Sequence, residues 1–86
     1  MRIKILSSEL ASKVGRELNL RIEGEITIED LKKEIVQRFP KAKDEFSDEY
    51  FYIFSVNGNL ITWDEFKSFK LRNGDFVIIM PSIAGG

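Results

Sequence analysis

The chain has 86 residues, 13 basic and 14 acidic, with a formal net charge of −1 and neither cysteine nor histidine. This length fits one domain with a modest core. The missing residue types exclude disulfides, thiolate metal sites and cysteine nucleophiles, and they remove the commonest general base and metal ligand.

Residues 2–6 alternate, with Ile3 and Ile5 pointing one way and Arg2 and Lys4 the other, which predicts a strand buried on one face. Residues 7–17 are polar apart from Leu10 and Val14, with Gly15 as a break, and read as a loop holding at most a helical turn. Leu18, Leu20 and Ile22 alternate with Asn19, Arg21 and Glu23, predicting a second strand that returns antiparallel to the first and ends at Gly24.

Thr27-Ile28-Glu29-Asp30 fits a helix start, a capping hydroxyl followed three residues later by an acid. Ile26 and Leu31 stand where a hydrophobic staple would sit. Ile28, Leu31, Ile35 and Phe39 recur at helical spacing, Val36 widens the stripe, and Lys32, Lys33, Glu34, Gln37 and Arg38 take the solvent side. Phe39-Pro40 closes the helix, because the residue before proline is pushed out of the α region.

Residues 41–49 form a polar connection in which Phe46 alone is expected to touch the core. Residues 50–56 make a third strand, Asn57-Gly58 a two-residue hairpin turn, and Asn59-Leu60-Ile61 a short fourth strand. Trp63, Phe66 and Phe69 follow at a spacing of three and read as anchors tucking a loop under the sheet. Residues 71–75, Leu-Arg-Asn-Gly-Asp, form a turn with one buried leucine, where Gly74 suits a positive φ. The final strand, residues 76–80, runs into Pro81, which ends sheet pairing and directs the chain outward.

The third and last strands break the alternation, for both of their faces are apolar. If Val77, Ile79, Phe54 and Val56 join Ile3 and Ile5 under the helix, then Phe51, Ile53, Phe76, Ile78 and Met80 share the opposite face. The sequence offers no second helix to cover them, and such a patch marks a partner surface. Two plainer explanations are that the loop of Trp63, Phe66 and Phe69 folds over it, or that the chain self-associates. The element order, with a long crossover through the helix, allows the first and last strands to lie parallel. The fold expected is α+β, a β-grasp with a mixed sheet of four to five strands and one main helix on one face. Residues 1–80 form the domain and residues 81–86 an extended tail.

That tail, Pro81-Ser82-Ile83-Ala84-Gly85-Gly86, ends on a bare diglycine, which chance composition supplies in only about 0.5% of chains. Glycines without Cβ atoms let a terminal backbone lie in a channel too narrow for other residues. A partner would receive the Gly86 carboxylate there, a poor electrophile until it becomes a mixed anhydride such as an acyl-adenylate. A tail without a role is the plainer alternative.

In this order, several segments resemble the ubiquitin-like sulfur carriers of the MoaD and ThiS type. They are the opening strand followed by Val14-Gly15, the Thr27-led helix ending Arg38-Phe39-Pro40, the Val56-Asn57-Gly58 hairpin, and Leu71-Arg72-Asn73-Gly74-Asp75-Phe76-Val77. The ending Met80-Pro81-Ser82-Ile83-Ala84-Gly85-Gly86 is similar to the family's Pro-Pro-Val-Ala-Gly-Gly. Ser82 departs from it, and residues 41–63 are longer and more aromatic than in a minimal MoaD.

The resemblance implies that an adenylating enzyme related to ubiquitin-activating enzymes uses ATP to form an acyl-adenylate on Gly86. A sulfur donor then converts it to a thiocarboxylate, for a synthase subunit in molybdopterin assembly or for tRNA thiolation. Related proteins, the ubiquitin-related modifier and the small archaeal modifiers, join the same terminus to lysines of target proteins. The chain would then be a carrier and not itself an enzyme, with no bound cofactor. A binding module with a dispensable tail is a third reading, since fold alone does not specify function. Near-neutral charge argues against direct nucleic-acid binding. No apolar run reaches membrane-spanning length, and Met1-Arg2-Ile3-Lys4 reads as a strand start and not a signal peptide, so the expected location is cytoplasmic.

Overall fold

Alternating burial along Arg2–Ile5 (β1) and Phe76–Pro81 (β7) makes one face of each strand apolar and buried, and these two strands pair in parallel at the centre of a five-stranded sheet. The computed structural model describes residues 1–82. Glu17–Asn19 (β2) flanks β1 antiparallel, Tyr52–Val56 (β4) flanks β7 antiparallel, and Asn59–Ile61 (β5) closes the far edge, giving the order β2-β1-β7-β4-β5. The β4–β5 hairpin turns through Asn57 and Gly58, both at positive φ (52° and 87°), as a two-residue primed turn requires. The fold is the expected α+β grasp with its mixed sheet.

Ile28–Arg38 (α2) crosses one face of the sheet. The Thr27 hydroxyl accepts from the Asp30 amide at 3.1 Å, and the Asp30 carboxylate accepts from the Thr27 amide at 3.1 Å, so the capping box forms as read. Such a cap stabilises a helix by about 1 kcal/mol. Ile28, Leu31 and Ile35 are fully buried in a core shared with Ile3, Ile5, Phe54, Val56, Val77 and Ile79. Lys32 corrects the helix reading. It is 6% exposed rather than on the solvent side, paired with Glu29 at 3.2 Å, with its Nζ 4.6 Å from the centre of the Phe66 ring. An amphipathic stem satisfies an apolar site while its charge finds a carboxylate and a ring face.

Four further expectations are corrected. Residues 7–17 contain a helix, Ser8–Val14 (α1), because the Ser7 hydroxyl accepts from the Leu10 amide and Leu10 and Val14, one turn apart, both reach the core. Gly15, at φ 91°, ends it. The second strand stops at Asn19, and Ile22 is held instead by the Asn73 side chain, which accepts from its amide and donates to its carbonyl. Glu25–Thr27 (β3) and Lys70–Arg72 (β6) form a separate two-stranded sheet that places Leu71 in the core. In the connection after α2, a 3-10 segment at Pro40–Phe46, Ala42 is fully buried and Phe46 only partly so.

Candidate functional site

The register places Ile53 opposite Met80 and Ser55 opposite Ile78, while Ile78 also neighbours Lys4 on β1. Because side chains alternate, Ile53, Phe76, Ile78 and Met80 project from the sheet face away from α2, and all four stay half-exposed. Phe51, 47% exposed, continues this row beside the end of β7. The five expected patch residues thus lie together. Trp63, Phe66 and Phe69 do not cover them. Phe66 stacks edge-on against Phe54 at 5.1 Å on the helix side, and Trp63 and Phe69 pack against the same core. Leu60, 67% exposed on β5, and Leu6, 49% exposed just after β1, extend the patch. Sequence reading missed both, although the strand parity it used was sufficient to place them.

Pro81 does not end the pairing. It lies opposite Tyr52, and the Ser82 amide donates to the Phe51 carbonyl at 2.8 Å. In an antiparallel ladder, hydrogen-bonded and non-bonded pairs alternate. Tyr52 and Pro81 form a non-bonded pair, so the missing Pro81 donor would have faced β1, where the ladder has already ended with Leu6 donating to Ile79. The proline therefore leaves β4 pairing intact. Pro81, just before the last described residue Ser82, helps to wall a cleft of about 460 Å³ with Leu6, Glu45, Phe51 and Tyr52. Ile83, Ala84, Gly85 and Gly86 lie outside the described residues.

Below this cleft Tyr52 donates to Glu45 at 2.5 Å, Lys13 pairs with Glu45 at 2.8 Å, and the Ser7 and Tyr52 hydroxyls stand 3.5 Å apart. Burial, then the hydrogen bond to Glu45, raises the Tyr52 pKa from 10.0 to about 12. The hydrogen bond from Lys13 lowers the Glu45 pKa, and the same bond raises that of Lys13. A raised folded pKa contributes stability below the unfolded value that is lost as pH climbs through the folded one. Stability should therefore fall between pH 10 and about 12, and Tyr52→Phe should flatten that fall in melting curves recorded across the window. Glu45 acts at the other end, its contribution lost as pH drops below its ordinary 4.5 through the lowered value. An unchanged alkaline profile in the Phe variant would remove Tyr52 from this role.

The sequence profile of the ThiS family matches residues 5–86, nearly the whole chain and through the diglycine. The chain belongs to the ThiS family. A Pyrococcus furiosus protein described as molybdopterin converting factor, subunit 1, is 26% identical, with a TM-score of 0.72 over 95% of each chain. Small archaeal modifier protein 1 from Methanosarcina acetivorans is 25% identical, with a TM-score of 0.72 over 99% of this chain and 94% of that one. SAMP1 from Haloferax volcanii superposes with a TM-score of 0.73 at 21% identity over 99% and 97%, a likeness of fold. No curated protein sequence matches the chain. ThiS-family membership places it in a family of small sulfur carriers or modifiers, which are non-catalytic and carry no bound cofactor. Among the described residues of this ThiS-family chain, no helix is long and apolar enough to cross a membrane.

Proposed function

We propose that the chain is a sulfur carrier whose Gly86 carboxylate is activated by an ATP-dependent adenylating enzyme. The observation that carries this reading is the family match running through Gly85 and Gly86. A carboxylate oxygen of Gly86 attacks the α-phosphorus of ATP and pyrophosphate leaves, giving an acyl-adenylate. Hydrosulfide then attacks the carbonyl carbon, AMP departs with the electron pair of the broken C–O bond, and a thiocarboxylate remains. Neither terminal residue has a Cβ, so both fit a channel that encloses the reacting carbonyl.

The apolar face beside β7 is the docking surface for that enzyme and for the sulfur acceptor, a molybdopterin-type synthase or a thiolation enzyme. Phe51→Asp should weaken partner binding at least tenfold while leaving the melting temperature within a few degrees, since Phe51 lies outside the core. Unaltered affinity in a titration against the partner would remove the face from the docking surface.

The 25% identity to a small archaeal modifier protein supports a second reading, in which target-protein lysine amines attack the adenylate and form isopeptide bonds. Both readings share the activation step and diverge at the acceptor. Mass spectrometry of the protein from its native cell tests them. A free pool with one Gly86 oxygen replaced by sulfur is the expected result. Gly86 found only in isopeptide linkage would make the chain a modifier, and a terminus always in the carboxylate form would overturn both.

A further inference from the structure

Within the docking face proposed above, β1 sets two cations, Arg2 and Lys4, against the apolar row of β7. They are not equivalent. Arg2 pairs with Glu17 at 3.0 Å and lies 5.0 Å from the centre of the Phe76 ring, so its charge is already engaged. Lys4 is exposed, in register with Ile78 on one side and Glu17 on the other, and among the described residues it makes no ion pair. Glu17 is the acid that the strands present on this face, and Arg2 holds it. An exposed ammonium with no ion pair among the described residues therefore borders the centre of an apolar patch.

We infer that the partner covering this face is a protein that meets Ile78 and its neighbours with apolar side chains and places a carboxylate opposite Lys4. This rests on the docking role proposed above and adds the chemistry of the partner's surface. A second copy of the chain is a poorer occupant. Docked face to face, it would bring another Lys4 to the same contact and, from the strands of this face, no acid but the Glu17 that Arg2 already holds, so the ammonium would lose water without compensation. A partner carboxylate instead converts Lys4 into an orienting contact. Charged groups at the rim of an interface steer encounter and set register, while the apolar centre supplies most of the binding energy.

The test replaces the native gene with Lys4→Glu, Lys4→Arg or Ile78→Glu. It measures, after a fixed labelling pulse, the fraction of new chains whose Gly86 has become thiocarboxylate or isopeptide. Circular dichroism checks that each variant folds, and sedimentation follows its mass. Lys4→Glu should cut the activated fraction about tenfold, Lys4→Arg should preserve it, and Ile78→Glu should reduce it at least as far as Lys4→Glu. Loss in Ile78→Glu with full activation in Lys4→Glu would overturn the carboxylate inference while leaving the docking face in place. Full activation in both folded variants would overturn the docking face as well. A wild-type dimer dispersed by Ile78→Glu would assign the face to a second copy and overturn the inference directly.

Discussion

Removing Gly86 alone is expected to abolish both the thiocarboxylate and the isopeptide forms proposed for the protein, while leaving its melting temperature unchanged within about 1 °C. The expectation is severe because, in the proposed reaction, the deleted residue carries the reacting carbon. Truncation leaves Gly85 as the terminus, one residue, or roughly 3.3–3.6 Å, short of its place in an activating site. A displacement of that size removes the attacking oxygen from reach, and misplacement of about 1 Å already costs a reaction on the order of a hundredfold. The fold should not suffer, since the described strand pairing extends to Ser82 and the truncation lies four residues beyond it. Mass spectrometry of the truncated chain recovered from its native cell, beside a thermal melt, gives both halves of the result. Continued activation would mean that Gly86 is not required and that the terminal carboxylate reacts from Gly85, and an unfolded truncation would mean that Gly86 is structural.

Phe54→Ala is expected to destabilise the domain by about 3–5 kcal/mol, the range for emptying a fully buried aromatic site. Phe54 is 0% exposed on β4, paired in register with Ile61 on one side and Ile79 on the other. Its ring meets Phe66 at 5.1 Å and 75°, and the Lys32 ammonium sits 6.0 Å from its centre. One truncation thus removes apolar area, an edge-to-face pair and part of the lining around a buried cation. A domain of this size is stable by only about 5–15 kcal/mol, so the variant should be partly unfolded at physiological temperature. Leu60→Ala is the comparison, because Leu60 projects into solvent and its loss should shift stability by only about 0.5 kcal/mol. Urea denaturation of both proteins decides the matter, and equal midpoints would mean that the core does not centre on the Phe54–Phe66 contact.

Much of this was legible in the residues. Alternation in β1 and the helical stripe of Ile28, Leu31 and Ile35 identify buried faces, because a side chain's direction follows from its position within the element. The Thr27–Asp30 cap and the Asn57-Gly58 turn were equally readable, since each depends on two to four neighbouring residues. Doubly apolar strands already implied a face that α2 could not cover. The ending Pro81–Gly86, similar to the family's, is what the proposal for Gly86 rests on, and Gly86 itself lies outside the described residues.

What the residues could not reveal were pairings between distant parts of the chain. Strand β6 exists because β3 lies beside it, and Ile22 is held by an asparagine 51 residues away. Lys32 is buried because Phe66 brings a ring to it, against the usual preference of lysine for water. Pro81 stays in the sheet because the ladder places its missing donor on the side where β1 has stopped. Whether the second apolar face was open also depended on which side the Trp63–Phe69 segment packed, a choice made by Phe66 against Phe54. Local sequence therefore determined the main strands, the long helix and their buried sides, since each follows from spacing along a few residues, and its ending is what the proposal for Gly86 rests on. Tertiary structure decided which polar groups are buried, where the last strand ends and which apolar face remains open, because those depend on contacts between residues far apart in the chain.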